Sequence, residues 1–182
     1  IILAIDDVRC GFRLSLKGSA EYFGFKPDLA CYCKALANGY NISALVGIDS
    51  LKAAAGNVFY TGSYWSSAVP MAAASACIDE LVRIDAAKIM MEKGRKLTEG
   101  LVSAGKNHGI DMKISGVPSM FYMRITNDDS LMMQQEFCAE CAKRGVFFVS
   151  HHNHFINCSL TDKDINKTLE IAEEAFGIVA KN

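Results

Sequence analysis

Two residues with complementary chemistry follow short apolar runs near the beginning of this 182-residue chain. Asp6 follows the run at 1–5, and Lys34 follows the run "LACYC" at 29–33. Ligands of open α/β sheets bind outside the carboxyl ends of the strands, so the pattern predicts an acid and an amine at one edge. A lysine amine forms Schiff bases with aldehydes, and a carboxylate beside a pyridine nitrogen keeps that nitrogen protonated. Opposite charges ~4 Å apart, at an effective dielectric of about 20, interact by roughly 4 kcal/mol.

The same two positions also have an ordinary structural interpretation. An aspartate after a strand is commonly a turn former, and a lysine after a strand is commonly a solvated surface charge. The spacing of Asp6 and Lys34 does not by itself choose between the two interpretations. The elements that position these residues are therefore the next evidence.

The first half of the chain predicts an α/β sheet. Three short apolar runs, at 1–5, 29–33 and 44–48, are separated by turn signals and predict core strands. Apolar positions at helical spacing predict one helix over 68–84 and another over 86–110, which Gly109 ends. Because a buried parallel strand needs neighbours on both faces, a chain that begins in one is predicted to be the C-terminal piece of a longer protein.

The second half of the chain has a different texture. Residues 112–126 predict two strands joined by a turn, and 129–145 predict a helix that Gly145 ends. Residues 146–150 and 154–160 predict a hairpin pair. A final amphipathic helix has Thr161 as its N-cap, with Asp164 three residues later as in a capping box. The predicted organisation is thus part of a large α/β domain over 1–108, followed by a small α+β domain over 109–182.

Composition restricts the class of protein. The formal net charge is -1, which gives no electrostatic reason to bind nucleic acid or an anionic membrane. Hydrophobic residues make up 51% of the chain and charged residues 21%, as in a globular protein with a packed core. The 7 cysteines are odd in number and scattered, which is typical of a reducing compartment and predicts a cytoplasmic protein. No apolar run reaches the length that spans a bilayer.

Histidine and cysteine clusters offer two further candidate sites. His152 and His154 would share one face of a strand and His151 the other, but zinc needs three or four converging ligands. We therefore favour a hairpin loop whose histidines are exposed or face a substrate, and we predict no metal site. Cys138 and Cys141 have the CxxC spacing inside a predicted helix, without the strand or second pair that a redox or zinc site needs. We interpret them as structural thiols.

Two other pairs have open interpretations. Tyr64 and Trp65 either pack in the core or line a substrate pocket, and the sequence favours neither. Arg9 and Arg13 flank Asp6 and could bind a substrate carboxylate through a bidentate guanidinium. We prefer a structural salt bridge for them.

Four segments in a fixed order carry a family resemblance: "IILAIDDVRCGFR", "EYFGFKPDLACYCKALANGY", "FYTGSYWSSAVPMAAASA" and "HFINCSLTDKDINKTLEIAEEAF". Together they resemble the class III, fold-type I pyridoxal-phosphate aminotransferases, with glutamate-1-semialdehyde 2,1-aminomutase in the most similar subgroup. The resemblance covers essentially the whole chain. It implies the C-terminal half of a fold-type I large domain, with a mixed sheet flanked by helices, followed by the small C-terminal domain.

The resemblance also implies roles for four residues. Lys34 forms the internal aldimine with pyridoxal 5'-phosphate and shuttles the proton during amino-group transfer. Asp6 pairs with the pyridine nitrogen, and Val8 lies against one face of the ring. Ser63 takes the place of a family threonine that contacts the cofactor phosphate of the neighbouring subunit, which a serine hydroxyl can also do. These roles imply a homodimer with shared active sites that acts on an amino donor and a carbonyl acceptor.

Departures from the family pattern shape the functional prediction. Asp7 stands where glutamate is usual, Cys10 where threonine is usual, and Asn41 where proline is common. The stretch "SYWSSAVPMAA" differs from authentic aminomutases, which favours an ordinary aminotransferase over intramolecular transfer. The family's phosphate-binding turn does not occur in this sequence, so we expect these residues alone neither to bind the cofactor tightly nor to catalyse. A non-catalytic assembly module is the alternative from another class.

Overall fold

A computed structural model describes residues 1–59 and 61–181 of the chain. It divides into two compact units, Ile1–Ala87 and Lys88–Asn182, which are described separately below as unit 1 and unit 2. Among the described residues, no helix combines the length and the apolar character that crossing a membrane requires.

Unit 1 is built on a mixed three-stranded sheet in the order β1-β2-β3. Strand β1 (Ala4–Asp6) runs parallel to β2 (Leu29–Tyr32), and β3 (Ala44–Gly47) runs antiparallel to β2. Its helices are α1 (Ser19–Phe23), α2 (Lys52–Gly56) and α3 (Ala68–Arg83). The mixed α/β architecture agrees with the sheet predicted from the three apolar runs.

The core of unit 1 lies between the segment that follows β2 and helix α3. Leu36, Ala37 and Ala74 are buried there, with Phe12 and Tyr32 packed against them. The apolar runs at 1–5 and 44–48 were predicted to be core strands, and the predicted burial is wrong for both. Residues 1–4 and 45–48 are exposed, and Ile5 and Ala44 are half-buried, because the described elements of unit 1 do not cover both faces of these strands.

Unit 2 joins three antiparallel strands to three helices. The long helix α4 (Ala86–Asn107) precedes a hairpin of β4 (Met112–Val117) and β5 (Met120–Ile125), and β6 (His154–Phe155) pairs with β5. Helices α5 (Met132–Lys143) and α6 (Asp162–Val179) pack on one another through stacked phenylalanine rings. The Phe137 and Phe176 ring centroids are 4.2 Å apart, and both side chains are fully buried.

Three element boundaries confirm predictions from single residues. Gly109 has φ +72° just beyond α4, and Gly145 has φ +91° just beyond α5, conformations that glycine adopts without steric strain. The Thr161 hydroxyl accepts a hydrogen bond from the Asp164 amide, while the Asp164 carboxylate accepts one from the Thr161 amide. This reciprocal capping box starts α6 where the sequence predicted.

The hairpin predicted over 146–150 and 154–160 is wrong. Residues 146–150 form no strand, and β6 pairs with β5 instead, with Phe121 opposite His154. The Val149 amide donates to the His154 ring at 3.2 Å rather than to a ladder carbonyl, and Phe148 packs beside Phe137. In this segment Phe148 packs in the core, whereas Phe147 is 80% exposed, so the run of apolar residues does not report a strand.

Helix α4 packs within unit 2, whereas the predicted domain boundary follows residue 108. Glycines on this helix allow close approach to unit 2: Gly94 meets the Pro118 carbonyl, and Gly100 meets the Leu169 side chain. The division between the two units falls after Ala87, in the first turn of α4. The division into family domains at 1–108 and 109–182 stays a prediction.

Candidate active site

Asp6 and Lys34 end two adjacent parallel strands of unit 1. In the β1-β2 ladder Asp6 lies opposite Cys31, and Lys34 follows Cys31 by three positions at the same edge of the sheet. Both side chains are exposed. The structure therefore brings the carboxylate and the amine to one edge, as the two apolar runs predicted.

The backbone at Lys34 has an unusual conformation. Its φ is +45°, in the left-handed region that non-glycine residues rarely adopt. It begins a 3-10 turn, Lys34–Leu36, in which the Leu36 amide donates to the Cys33 carbonyl at 2.9 Å. The buried side chains of Leu36 and Ala37 anchor the turn beneath the exposed lysine. Strained backbone of this kind persists where the surroundings hold it, and it clusters at functional sites.

The turn after β1 holds the other half of the site. The Asp6 carboxylate accepts a hydrogen bond from the Val8 amide at 3.1 Å, which fixes the carboxylate against its own turn. Val8 is half-buried, so an apolar side chain lies next to the exposed acid. The intervening Asp7 is buried with 1% of its surface exposed.

Ser63 lies in an exposed turn that precedes α3. Its neighbours Tyr64 and Trp65 are 89% and 51% exposed, so within this unit they do not pack in the core. They line a groove of about 780 Å³ that also includes Cys33, the residue before Lys34. Core packing within this unit is thus excluded for these aromatic residues, and the substrate-pocket interpretation stays a prediction. The preceding Tyr60 lies outside the described residues.

The donor set at this edge suits a cofactor with a pyridine ring and an aldehyde. A carboxylate can accept the hydrogen of a protonated ring nitrogen, and a primary amine can condense with an aldehyde. Asp6 and Lys34 supply these two groups, and Val8 supplies an apolar surface beside them. Val8 and Ser63 lie in turns whose roles toward a cofactor stay predictions.

The histidines at 151, 152 and 154 do not converge, and His154 lies in β6 rather than in the predicted loop. His151 and His152 are exposed, whereas the His154 ring stacks on Phe121 with centroids 5.0 Å apart. Burial and then the neighbouring His152 lower the pKa of His154 to about 4. Within residues 1–59 and 61–181, no cluster of three or more potential ligands could hold a metal ion.

The CxxC pair is chemically quiet. Cys138 and Cys141 are buried on α5, and burial raises their pKa values to about 11 and about 12. A thiol must ionise to act as a nucleophile or metal ligand, so these cysteines behave as small apolar side chains.

Arg13 is half-buried and its pKa is lowered, mainly by burial. The salt-bridge interpretation of Arg9 and Arg13 stays a prediction.

The fold and the site together define a class of protein. The sequence profile described as aminotransferase class-III matches residues 1–176, and the chain belongs to this family. It is 36% identical over 181 residues to the aminopentol aminotransferase of Sphingopyxis macrogoltabida, covering 100% of this chain and 43% of that protein. It is 30% identical over 184 residues to the 3-aminobutyryl-CoA aminotransferase of Cloacimonas acidaminovorans (strain Evry), covering 99% of this chain and 44% of that protein.

Solved structures agree with this assignment. The PLP internal aldimine form of the Sphingopyxis sp. MTA144 FumI protein superimposes with a TM-score of 0.95 at 36% identity, over 98% of this chain and 43% of that chain. An omega-transaminase from Sphaerobacter thermophilus shares the fold, with a TM-score of 0.85 at 17% identity, over 100% of this chain and 45% of that chain. The chain thus spans less than half the length of these relatives.

Asp7 has a structural role in the Asp6 turn that the sequence analysis missed. Asp7 was noted only as a departure from the family glutamate, yet it is the buried residue of the Asp6 turn. The signal that could have found it is the pair of glycines, Gly11 and Gly18, that follow it at a turn. Both glycines pack against Asp7.

Proposed function

We propose that this protein catalyses pyridoxal-phosphate-dependent transfer of an amino group between an amine or amino acid and a carbonyl compound. The observation that carries the proposal is the placement of Asp6 and Lys34 at adjoining ends of two parallel strands. Family membership supports the same activity, and one relative's structure is described as a PLP internal aldimine form.

Each residue has a distinct part in the proposed reaction. Bound at this edge, pyridoxal phosphate supplies an electron sink for a substrate carbanion. Lys34 holds the cofactor through Nζ and then moves a proton at the substrate α-carbon as the general base. Asp6 keeps the ring nitrogen protonated by its negative charge. Val8 packs on the ring face and excludes water from it.

Ser63 supports the proposal of a homodimer. Its hydroxyl is exposed in the turn before α3, beside the exposed rings of Tyr64 and Trp65. We propose that this turn contacts the cofactor phosphate of the neighbouring subunit. The seven cysteines are odd in number and scattered along the chain, which favours a cytoplasmic location.

The groove that Cys33, Tyr64 and Trp65 line supports an amine donor with an apolar portion. Leu45, Val58, Trp65 and Met71 contribute its apolar wall. The two relatives are named for an aminopentol and for 3-aminobutyryl-CoA. We propose a donor amine of comparable kind, in preference to glutamate-1-semialdehyde and the intramolecular transfer of an aminomutase.

Chemical trapping on the intact protein tests the proposal. Incubation with pyridoxal phosphate, reduction with borohydride and peptide mass mapping should find the cofactor on Lys34. Lys26 and Lys52 are lysines of the same unit and serve as internal controls that should stay unmodified. Modification spread equally over the three lysines, or none at Lys34, contradicts the proposal and favours the assembly module.

A product assay separates the two kinds of transfer. With an amino donor alone, an aminotransferase releases one equivalent of carbonyl product per site and stops. An aminomutase instead returns an isomer of its substrate and accumulates no free carbonyl product. The Lys34→Ala variant should abolish either product, and Lys26→Ala should leave the yield unchanged.

A further inference from the structure

The turn that carries Asp6 is organised around the buried carboxylate of Asp7. The Asp7 amide donates to the Cys31 carbonyl at 3.0 Å, which ties the end of β1 to β2. The Asp7 carbonyl accepts from the Gly11 amide at 2.8 Å, and Oδ2 accepts from the Ser19 amide at 2.8 Å. One residue thereby joins the neighbouring strand, its own turn and the start of α1.

Two glycines leave room for this carboxylate. Gly18 has φ +78°, and a Cβ there would overlap Asp7 Oδ2. A Cβ on Gly11 would lie 2.8 Å from the Asp7 carbonyl oxygen and 2.6 Å from the Tyr32 ring. Burial, and then the charge of Asp7, raise the pKa of the Tyr32 phenol. Gly11, Gly18 and Tyr32 therefore enclose the Asp7 residue closely.

A buried carboxylate at position 7 is unfavourable for the stability of the fold. Asp7 is 1% exposed, and Oδ1 has no hydrogen-bond partner in the part of the chain that the structure describes. A buried acid that is only partly hydrogen-bonded opposes folding, because its desolvation is not fully compensated. Positional control of the residues on either side, the exposed Asp6 and the half-buried Val8, is a benefit that can offset this cost.

We propose that Asp7 is a positioning residue for Asp6, holding the Asp6 carboxylate where it meets the cofactor ring nitrogen; this rests on the proposed function. The Asp6 carboxylate is anchored by the Val8 amide, which belongs to the same turn. Asp7 follows Asp6 directly in the chain. The hydrogen bonds of the Asp7 amide and carbonyl therefore restrain the backbone from which the Asp6 side chain extends. Residues that orient a functional group are typically worth about tenfold to a hundredfold in affinity or activity.

Cofactor affinity of the intact protein tests this with matched variants. Asp7→Ala should weaken pyridoxal phosphate binding about tenfold in an absorbance titration, and Asp7→Asn, which keeps an acceptor for Ser19, should recover most of it. Asp28→Ala is the control, because the Asp28 carboxylate accepts from the Leu3 amide at 2.7 Å at the opposite end of the same strands. It should leave the affinity within about twofold.

A double-mutant cycle separates positioning from general support of the fold. The rate of borohydride trapping at Lys34 under fixed pyridoxal phosphate can be read even when affinity is weak. Asp7→Ala should slow trapping clearly in the native background and have little effect once Asp6 is changed to Asn. An equal effect in both backgrounds, or an equal effect of Asp28→Ala, overturns the positioning role.

Two further measurements make the result decisive. If Asp7→Ala does not fold, Ser19→Pro removes the amide that Asp7 accepts from at the first position of α1, where proline is tolerated. It should reproduce part of the loss, and native affinity in folded Ser19→Pro refutes the proposal. Failure of the proposed function is distinct: the unaltered protein then shows no trapping at Lys34 at all.

Discussion

Acidification should destabilise unit 2 through His154. Its ring stacks on Phe121 at 5.0 Å and meets Phe148 edge-on at 5.3 Å, and Nε2 accepts the Val149 amide at 3.2 Å. That hydrogen bond requires an unprotonated Nε2. Burial, and then the charge of His152, lower the pKa of His154 from 6.5 to about 4.

The sign and size of the effect follow from linkage. Below pH 6.5 the unfolded chain binds a proton at this residue, whereas the folded chain does not until about pH 4. Stability is therefore complete above pH 6.5 and falls as the pH drops toward 4. At pH 5 the full shift corresponds to about 2 kcal/mol, and partial solvent exposure of the ring reduces this to about 1 kcal/mol.

Urea unfolding at pH 7.5 and at pH 5, followed through the histidine ring signals in NMR, measures the difference. His154→Leu should flatten the pH dependence between these values, while the exposed His152 changed to Leu should leave most of it. The same spectra give the ring titration of His154 directly. A His154 pKa near 6.5, or an unchanged pH dependence in His154→Leu, would refute the reasoning.

Three further predictions concern packing, capping and the cofactor. Gly94→Ala should destabilise the chain by about 2 kcal/mol in urea unfolding, because its Cβ overlaps the Pro118 carbonyl, while Gly56→Ala, with open space around it, should not. Asp128→Ala should cost about 1 to 2 kcal/mol by removing the carboxylate that accepts the Gln134 amide at 2.8 Å. Burial opposes its ionisation, but hydrogen bonds lower the pKa of Asp128 overall. This contribution should therefore weaken in unfolding curves as the pH falls below 3.8 and be lost once the pH passes the lowered pKa of the folded state. The 182-residue chain alone should develop no stable visible band with added pyridoxal phosphate, and such a band would contradict the expected weak binding.

Local signals in the sequence were sufficient for much of the fold. Helices α3, α4 and α6 follow apolar spacing at the helical period, and their ends follow Gly109 and the Thr161 capping box. These features depend on residues a few positions apart. The segment at 146–150 and the place of α4 depend instead on distant partners, such as His154 for Val149 and Leu169 for Gly100. The sequence of an apolar segment does not indicate which distant part of the chain will pack against it.

The candidate site also combines a feature that the sequence predicts with one that it does not. Strand ends are local features, so the meeting of Asp6 and Lys34 at one edge could be predicted once the strands were parallel. The left-handed φ of Lys34 could not, because it is imposed by the anchoring of Leu36 and Ala37 in the core beneath it. Glycine normally occupies such a position, and a lysine there gives up backbone stability. The left-handed φ alone assigns no role, because Phe12, Asn38 and Leu131 share it. At Lys34 it adds to the argument for a chemical role because this residue also follows the end of β2, at the edge of the sheet where Asp6 ends β1.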